Sequence, residues 1–402
     1  MKILFLVPVD IDSISQSGIY TDLLREFVKH NHEIYVISPL EKRNSSETHV
    51  ISEDNLKILK LKVGNIQKTN IIEKGISTLL IEGMLVRAIK KYFSDIKFDL
   101  VLYVTPPVTF YKAIQYVKKR DKAKSYLILK DIFPQNAVDL GMLSKTGIKG
   151  LIYKYFRKKE KMLYSLSDKI GCLSPANVSF LLSNNCIDKK KLHVSPNTIE
   201  IKLIEKVNKL EIRKKYNLPL DKLIFIYGGN LGKPQDIPFV VECLKLNQNL
   251  DDRFFVVCGT GTEYIKLKEY VGTYKPANVM IINGLPKDEY DRLLSSCDVG
   301  LIFLDHRFTI PNFPSRLLVY MEYSMPVIAC TDKNTDLGEI IEKNNFGYWC
   351  ESDDPRKFKV LIDRVCDHDN LDILGKNARK YLEDEYDVKN SYDIIMREIG
   401  EK

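Results

Sequence analysis

Three short stretches are rich in small residues, two of them with a basic residue: Gly228-Gly229-Asn230-Leu231-Gly232-Lys233, Gly259-Thr260-Gly261-Thr262-Glu263 and Pro314-Ser315-Arg316. Each falls where an apolar run gives way to a helical pattern. Free backbone N–H groups and the positive end of a helix dipole bind anions at such junctions. Lys233 and Arg316 would add a mobile and a fixed charge suited to a diphosphate. Any one of these stretches also reads as a plain tight turn; their recurrence at strand ends in one half of the chain points to a ligand. Other phosphate devices do not occur. The first strand is followed by Pro8-Val9-Asp10-Ile11-Asp12 rather than G-x-G-x-x-G, and no G-x-x-x-x-G-K-[ST] exists, which disfavours a nicotinamide enzyme and excludes a Walker loop.

Single acids and histidines carry weaker signals. Asp131, at a strand end, either orients a sugar or acceptor hydroxyl and acts as its base, or caps a helix or closes a buried turn. Asp10-Ile11-Asp12 has the form of a D-x-D metal pair but follows the first strand, the wrong place for the fold that uses it; no metal is expected. His32 and His193 sit at strand edges and His306 beside Asp305, and none makes a convincing base.

These residues must be positioned by alternating strands and helices. The expected order is strand 2–8, helix 18–31, strand 33–37, helix 76–94, strand 100–104, helix 108–120, strand 125–129, helix 148–166 and strand 169–173. After a charged connector over 200–220 come strands at 223–228, 253–258, 279–282, 299–304 and 326–330, with helices at 262–272, 287–296 and 314–324. Such alternation gives parallel sheets with crossover helices. The predicted architecture is α/β, with two doubly wound Rossmann-like domains facing across a cleft at their strands' C-terminal ends. The first covers 1–200 and the second 201–380, with a C-terminal helix over 381–402 able to return to the first.

The length of 402 residues and 45% hydrophobic content suit two folded domains. Residues 1–200 carry 32 Lys/Arg against 20 Asp/Glu, whereas 201–402 carry 29 against 33. The basic first half is expected to meet something anionic. Eight dispersed cysteines without C-x-x-C or clustered histidine read as buried thiols in a reducing compartment. The short opening apolar run reads as a strand, not a signal peptide, and no stretch is long enough to span a membrane. Between Lys145 and Lys169, eight basic residues accompany Ile152, Tyr155, Phe156, Met162, Leu163 and Leu166 at helical spacing. This is either a packed surface helix or a docking helix for anionic lipid, with Lys154, Arg157, Lys158 and Lys161 on the membrane face. No nucleic-acid motif accompanies the charge, so nucleic acid is not an expected partner.

A resemblance gathers these pieces. Ser17-Gly18, His32-Glu33, Asp131-Ile132-Phe133-Pro134, Pro196-Asn197, the Gly-Asn-Leu-Gly-Lys turn, Gly-Thr-Gly-Thr-Glu, Asn283-Gly284-Leu285-Pro286, Cys297-Asp298-Val299-Gly300, and Pro314-Ser315-Arg316-Leu317-Leu318 with Met325-Pro326-Val327-Ile328 occur in this order. Over essentially its whole length the chain resembles a family 4 retaining glycosyltransferase of GT-B fold. The Asp-Ile-Phe-Pro-Gln-Asn element is similar to the bacterial capsule and O-antigen branch that transfers N-acetylfucosamine-type sugars. The resemblance implies a hexosyltransferase-type enzyme that takes a sugar from UDP to an undecaprenyl-diphosphate-linked saccharide at the inner face of the cell membrane. Gly229, Asn230, Lys233, Gly259, Leu285, Ser315, Arg316 and Glu322 would bind the donor, and Ser17, Gly18 and Asp131 the acceptor. Asp131, Lys233 and Arg316 would do the catalytic work without a metal. The family's two glutamates eight positions apart are replaced by Pro311 and Val319; Glu322 is the nearest substitute or a solvated charge. A nucleotide-sugar 2-epimerase and a catalytically silent binding subunit share the architecture and stand as alternatives.

Overall fold

Runs of Val, Ile, Leu and Phe that are apolar on both sides can satisfy their backbone only inside a sheet covered on both faces. The computed structural model describes all residues except 45, 66–70, 205–206, 369 and 401–402, and it divides into two units, Met1–Glu200 with Asp387–Lys402, and Ile201–Tyr386. Residues 205–206 of the expected connector and 401–402 of the expected last helix thus lie outside the described residues.

The first unit runs β1 (Lys2–Leu6), α1 (Ile19–Lys29), β2 (Glu33–Glu41), β3 (His49–Glu53), β4 (Leu56–Val63), α2 (Ile71–Tyr92), β5 (Leu100–Thr105), α3 (Tyr111–Asp121), β6 (Lys124–Leu129), α4 (Gln135–Asp139), α5 (Gly147–Leu166), β7 (Lys169–Cys172), α6 (Pro175–Asn184) and β8 (Leu192–Val194). Its eight strands lie in the order β3-β4-β2-β1-β5-β6-β7-β8, all parallel except β3, which pairs antiparallel with β4. The β3–β4 hairpin is absent from the sequence expectation. Ile3, Phe5, Val36, Leu102, Val104 and Ile128 form the core.

The second unit runs α7 (Lys209–Lys215), β9 (Leu223–Asn230), α8 (Ile237–Leu246), β10 (Arg253–Thr260), α9 (Tyr264–Tyr274), β11 (Val279–Ile282), α10 (Lys287–Ser295), β12 (Val299–Phe303), α11 (Arg316–Glu322), β13 (Val327–Thr331), α12 (Leu337–Lys343), β14 (Gly347–Glu351), α13 (Pro355–His368) and α14 (Leu371–Glu385). Six parallel strands follow the order β11-β10-β9-β12-β13-β14. Strand order therefore reverses between β9 and β12, the place where ligands enter such sheets. Phe225, Tyr227, Phe255, Leu301, Phe303 and Phe358 pack the interior.

The expected single helix over 381–402 is instead two elements. α14 ends at Glu385 in the second unit, and α15 (Val388–Glu398) belongs to the first. Asp387 caps α15 by accepting from the Lys389 N–H, and Ile199 O accepts from the Val388 N–H at 2.9 Å. Tyr392 of α15 stacks on His30 at 4.1 Å between centroids and lies edge-on to Phe27 at 5.1 Å. Its hydroxyl meets His32 Nε2 at 3.0 Å. His32 is thus a packing residue, with its pKa lowered chiefly by burial.

Candidate functional site

In the second unit, β9 ends in the Gly228-Gly229-Asn230 turn, where Gly229 has φ +126°, a conformation that favours glycine. A Cβ there would stand 3.2 Å from Arg316 Nη2. Arg316 opens α11, and its guanidinium lies over the Tyr227 ring at 4.1 Å. Its Nη1 is buried with no hydrogen-bond partner. An arginine does not escape burial by losing its proton, so this guanidinium offers charge and an unused N–H at the reversal point of the sheet. That is the chemistry of an anion site.

The turn is held rigidly. Tyr227 donates its O–H to Asn230 O at 2.6 Å, and Gln235 Oε1 accepts from Asn230 Nδ2 at 2.9 Å and from the Gly232 N–H at 3.1 Å. Tyr320, one helical turn beyond Arg316, accepts from the Gly228 N–H at 3.2 Å. The second glycine stretch packs directly on the first. Leu231 N–H donates to Thr260 O, and Glu263 N–H to Leu231 O, both at 2.9 Å. Cβ atoms at Gly259 and Gly261 would lie 1.9 Å from Gly229 O and 2.2 Å from Leu231 O, so both positions need glycine. Gly284, at φ +73°, comes against Thr260, and Leu285, next in sequence, is half-buried.

The structure therefore brings together Gly229, Asn230, Gly259 and Arg316. Lys233 is exposed, begins a short 3-10 turn over Lys233–Gln235, and has no ion pair among the described residues. Ser315 is exposed beside Arg316. The expected helix 314–324 is only the seven residues of α11, so the contribution here is the Arg316 side chain rather than a helix N-terminus. Glu322 does not join the group. Six residues after Arg316, it faces another side of the helix, its carbonyl accepts from Arg379 Nη1 at 3.0 Å, and burial raises its pKa. Pro311 is buried and Val319 half-buried, and neither supplies a carboxylate.

In the first unit, Gly18 precedes α1 and donates its N–H to Asp22 Oδ1 at 2.9 Å, and Ser17 is half-buried beside it. Asp131 follows β6. Its carboxylate accepts from the Ile132 N–H at 2.7 Å and from Asn136 Nδ2, which closes the turn into α4. Burial nevertheless pushes the Asp131 pKa up to about 6, so it sits in a range useful for proton transfer. Asp10 and Asp12 are both drawn to Lys60, whose amine is 1% exposed and also donates to Ile11 O at 3.1 Å. The D-x-D pair is thus committed to a buried lysine. Among the described residues, Asp236, Asp305 and His306 lie close enough to share an ion, but Arg307 already grips the Asp305 carboxylate.

Helix α5 separates its basic residues. Lys154, Lys158 and Lys161 are exposed, and Ile148, Leu151 and Ile152 stand 82%, 67% and 44% exposed on the same helix. Arg157 differs. It donates to Glu160, to Asn184 O at 2.8 Å and to Asn185 Oδ1 at 2.6 Å, so it is a packing residue and not a free surface charge. Cysteine burial also departs from expectation: six thiols are buried, Cys366 is half-buried and Cys186 is exposed. No described helix is long and apolar enough to cross a membrane.

Sequence reasoning missed Tyr227, Tyr320 and Gln235, the struts of the turn. Tyr227 directly precedes the glycine pair, but its partner Arg316 is remote in sequence and only the β9–β12 neighbourhood joins them.

Comparison with known proteins agrees with this geometry. Residues 208–381 match the model of the family described as glycosyl transferases group 1. The chain is 26% identical over 290 residues to a probable glycosyltransferase, WbjE, of Pseudomonas aeruginosa, with 72% of this chain and 71% of that protein covered. It is 23% identical over 255 residues to the UDP-Gal:alpha-D-GlcNAc-diphosphoundecaprenol alpha-1,3-galactosyltransferase of Escherichia coli, with 61% of each covered. The solved sucrose-phosphate synthase of Thermosynechococcus elongatus superposes with a TM-score of 0.77 at 17% identity over 99% of each chain, a likeness of fold alone. Two parallel-sheet Rossmann-like units of the GT-B kind, with a group 1 segment spanning the Gly229–Arg316 site, make this chain a glycosyltransferase.

Proposed function

We propose that the protein transfers a sugar from a UDP-sugar to an undecaprenyl-diphosphate-linked saccharide in surface polysaccharide biosynthesis, with retention of anomeric configuration. The observation that carries this reading is the buried, unpartnered Nη1 of Arg316 beside the Gly229 backbone. A departing nucleoside diphosphate develops charge where such preorganised donors stabilise it. Arg316 and the Gly229–Asn230 turn hold the diphosphate, Lys233 folds onto it from solvent, and Gly259, Leu285 and Ser315 line the nucleotide sugar. The first unit takes the acceptor near Gly18 and Asp131. No metal is required.

The donor sugar we favour is N-acetylfucosamine or a related N-acetylated deoxysugar, on the resemblance of Asp131-Ile132-Phe133-Pro134-Gln135-Asn136. The lipid-linked acceptor is supported by the Escherichia coli relative, whose name specifies a diphosphoundecaprenol substrate. It is also supported by α5, where exposed Ile148, Leu151 and Ile152 accompany Lys154, Lys158 and Lys161 in the manner of an interfacial helix. The enzyme would then work at the inner face of the membrane.

The test is a thermal-shift and calorimetric screen with UDP, GDP and TDP and their sugars, because a ligand of the native state alone raises the melting temperature. UDP should stabilise the wild type and lose its effect in Arg316→Ala. A screen in which no nucleotide stabilises the protein would sink the reading.

A further inference from the structure

The sheet of the first unit reverses its strand order between β1 and β5, so the loop after β1 lies where open α/β sheets take their ligands. This loop, residues 7–18, has no regular structure of its own, and holding it in one shape costs conformational entropy. Two cations from outside the loop supply that hold. An ammonium has three donors, and Lys60 of β4 spends all of them here, on the carboxylates of Asp10 and Asp12 and on Ile11 O at 3.1 Å. Ser38 of β2 clamps the same stretch, accepting from the Ile11 N–H at 2.8 Å and donating to Val9 O at 3.0 Å.

Arg25 of α1 grips the other half. A guanidinium has five donors, and these too are all spent. Nη1 donates to Ile14 O and, at 3.0 Å, to Gln16 O. Nη2 donates to Asp22 Oδ1 at 2.5 Å and to Glu200 Oε2 at 2.7 Å, and Nε to the same Glu200 oxygen at 3.0 Å. Asp22, 3% exposed, carries the grip to the end of the loop, since its Oδ1 also accepts from the Gly18 N–H at 2.9 Å. The loop in turn holds polar groups toward solvent: the Ser13 and Ser15 hydroxyls 3.0 Å apart, exposed Gln16, and the Asp10 and Asp12 carboxylates, 40% and 73% exposed. With every donor of both cations engaged and two acids on show, an anion gains nothing at this loop. Alcohol hydroxyls do, because carboxylate, hydroxyl and amide oxygens accept from them.

We propose that Arg25 and Lys60 are positioning residues that hold the loop between β1 and α1 in the shape that reads the neutral sugar hydroxyls of the acceptor, while its diphosphate is bound by other groups. This rests on the reading of the first unit as the acceptor unit and adds which end of the acceptor the loop recognises. A loop ordered on folding need not be ordered again on binding. Arg25→Lys isolates that effect. It keeps a positive charge beside Asp22 and Glu200, but an ammonium lacks the planar fork and cannot also hold Ile14 O and Gln16 O.

The test combines amide hydrogen exchange over residues 8–18 with calorimetric titration of the full chain saturated with UDP. Two probes are used: N-acetylglucosaminyl diphosphate carrying a decyl chain, and decyl diphosphate, which lacks the sugar. Wild type should bind the sugar probe more tightly, and that probe alone should slow exchange in the loop. Arg25→Lys and Lys60→Met should each speed exchange there and weaken the sugar probe by about tenfold, the cost of ordering the loop on binding. Neither should alter the affinity for decyl diphosphate. Arg25→Lys decides the matter alone if Lys60→Met does not fold. The proposal fails if loop exchange is unchanged in the variants, if the sugar probe binds Arg25→Lys as it binds wild type, or if both probes weaken equally. Wild type that binds neither probe overturns the acceptor reading and this proposal with it, whereas binding of both probes alike overturns the proposal alone. UDP binding, measured first in every variant, reports on the donor reading separately, since neither Arg25 nor Lys60 is part of that site.

Discussion

The guanidinium of Arg316 rests 4.1 Å above the ring of Tyr227, the residue immediately before the Gly228-Gly229 turn. One aromatic side chain thereby fixes both halves of the anion site, since its face supports the arginine and its hydroxyl holds Asn230 O at 2.6 Å.

Arg316→Ala should weaken UDP binding by one to two orders of magnitude, the loss of a charge-assisted contact of about 1.5–3 kcal/mol. Tyr227→Leu keeps the arginine but removes its platform, a cation–π contact of about 0.5–2 kcal/mol, and should cost less. Tyr227→Phe keeps the platform and should fall between Tyr227→Leu and wild type. Calorimetric titration of UDP gives the ranking, and an Arg316→Ala affinity equal to wild type would remove Arg316 from the site.

Gly259→Ala should loosen the same site from below. Its Cβ would fall 1.9 Å from Gly229 O, so β9 and β10 must part at their ends, at a cost of about 1–3 kcal/mol for overpacking. The urea midpoint should drop, and UDP affinity should fall even where the protein remains folded. A midpoint unchanged from wild type would show that the two turns are not locked together.

Chelation should leave turnover intact. Asp10 and Asp12 hold Lys60, and Arg307 holds Asp305, so three of the acids that could bear on an ion already have cationic partners. Loss of activity in EDTA with recovery in Mg or Mn would mean that a metal neutralises the diphosphate.

Much of the fold was legible because parallel strands and crossover helices impose two different periods on the sequence. The β3–β4 hairpin was not, for a physical reason. Between Leu56 and Val63 the alternation is broken by Lys60, a charged residue that lies buried because Asp10 and Asp12 reach it from the β1 loop. At the site, Arg316 and the glycines announce themselves by type. Tyr227 does not, since only tertiary structure brings its partner Arg316 near. On α5 the sequence presents Arg157 and Lys158 as equivalent charges; the contact of Arg157 with the 184–185 turn separates them.

Stability should fall on the acid side through His193. Burial is the leading cause that pushes its pKa down to about 4, and its Nε2 meets the Tyr126 hydroxyl at 2.7 Å. The folded state keeps the ring neutral while the unfolded chain protonates it near its ordinary value of about 6.5. The unfolded state therefore binds more protons between those values, and stability present above about 6.5 is lost as pH falls toward 4. His193→Gln should flatten that part of the urea-midpoint profile; an identical slope would place the acid sensitivity elsewhere.

The last prediction separates two kinds of charge on α5. Lys154, Lys158 and Lys161 are exposed on a helix that also exposes Ile148, Leu151 and Ile152. If this face meets an anionic bilayer, each lysine contributes on the order of 1 kcal/mol of attraction near the surface. Replacing all three with Gln should then sharply reduce flotation with phosphatidylglycerol vesicles, without moving the melting temperature. Salt should mimic the loss, because fields are screened beyond about 10 Å at 0.1 M. Leu151→Ser should weaken flotation in a way that salt does not mimic, since its contribution is apolar area. Arg157→Ala should do the opposite of the lysine variant: it leaves the buried Glu160 without its cationic partner and removes the contacts to Asn184 O and Asn185 Oδ1, so the melting temperature falls while vesicle binding per folded molecule changes little. Transfer to a short water-soluble acceptor should survive in the triple lysine variant. Equal flotation of that variant and wild type, or an equal loss of transfer with soluble acceptor, would make α5 an ordinary packed surface helix.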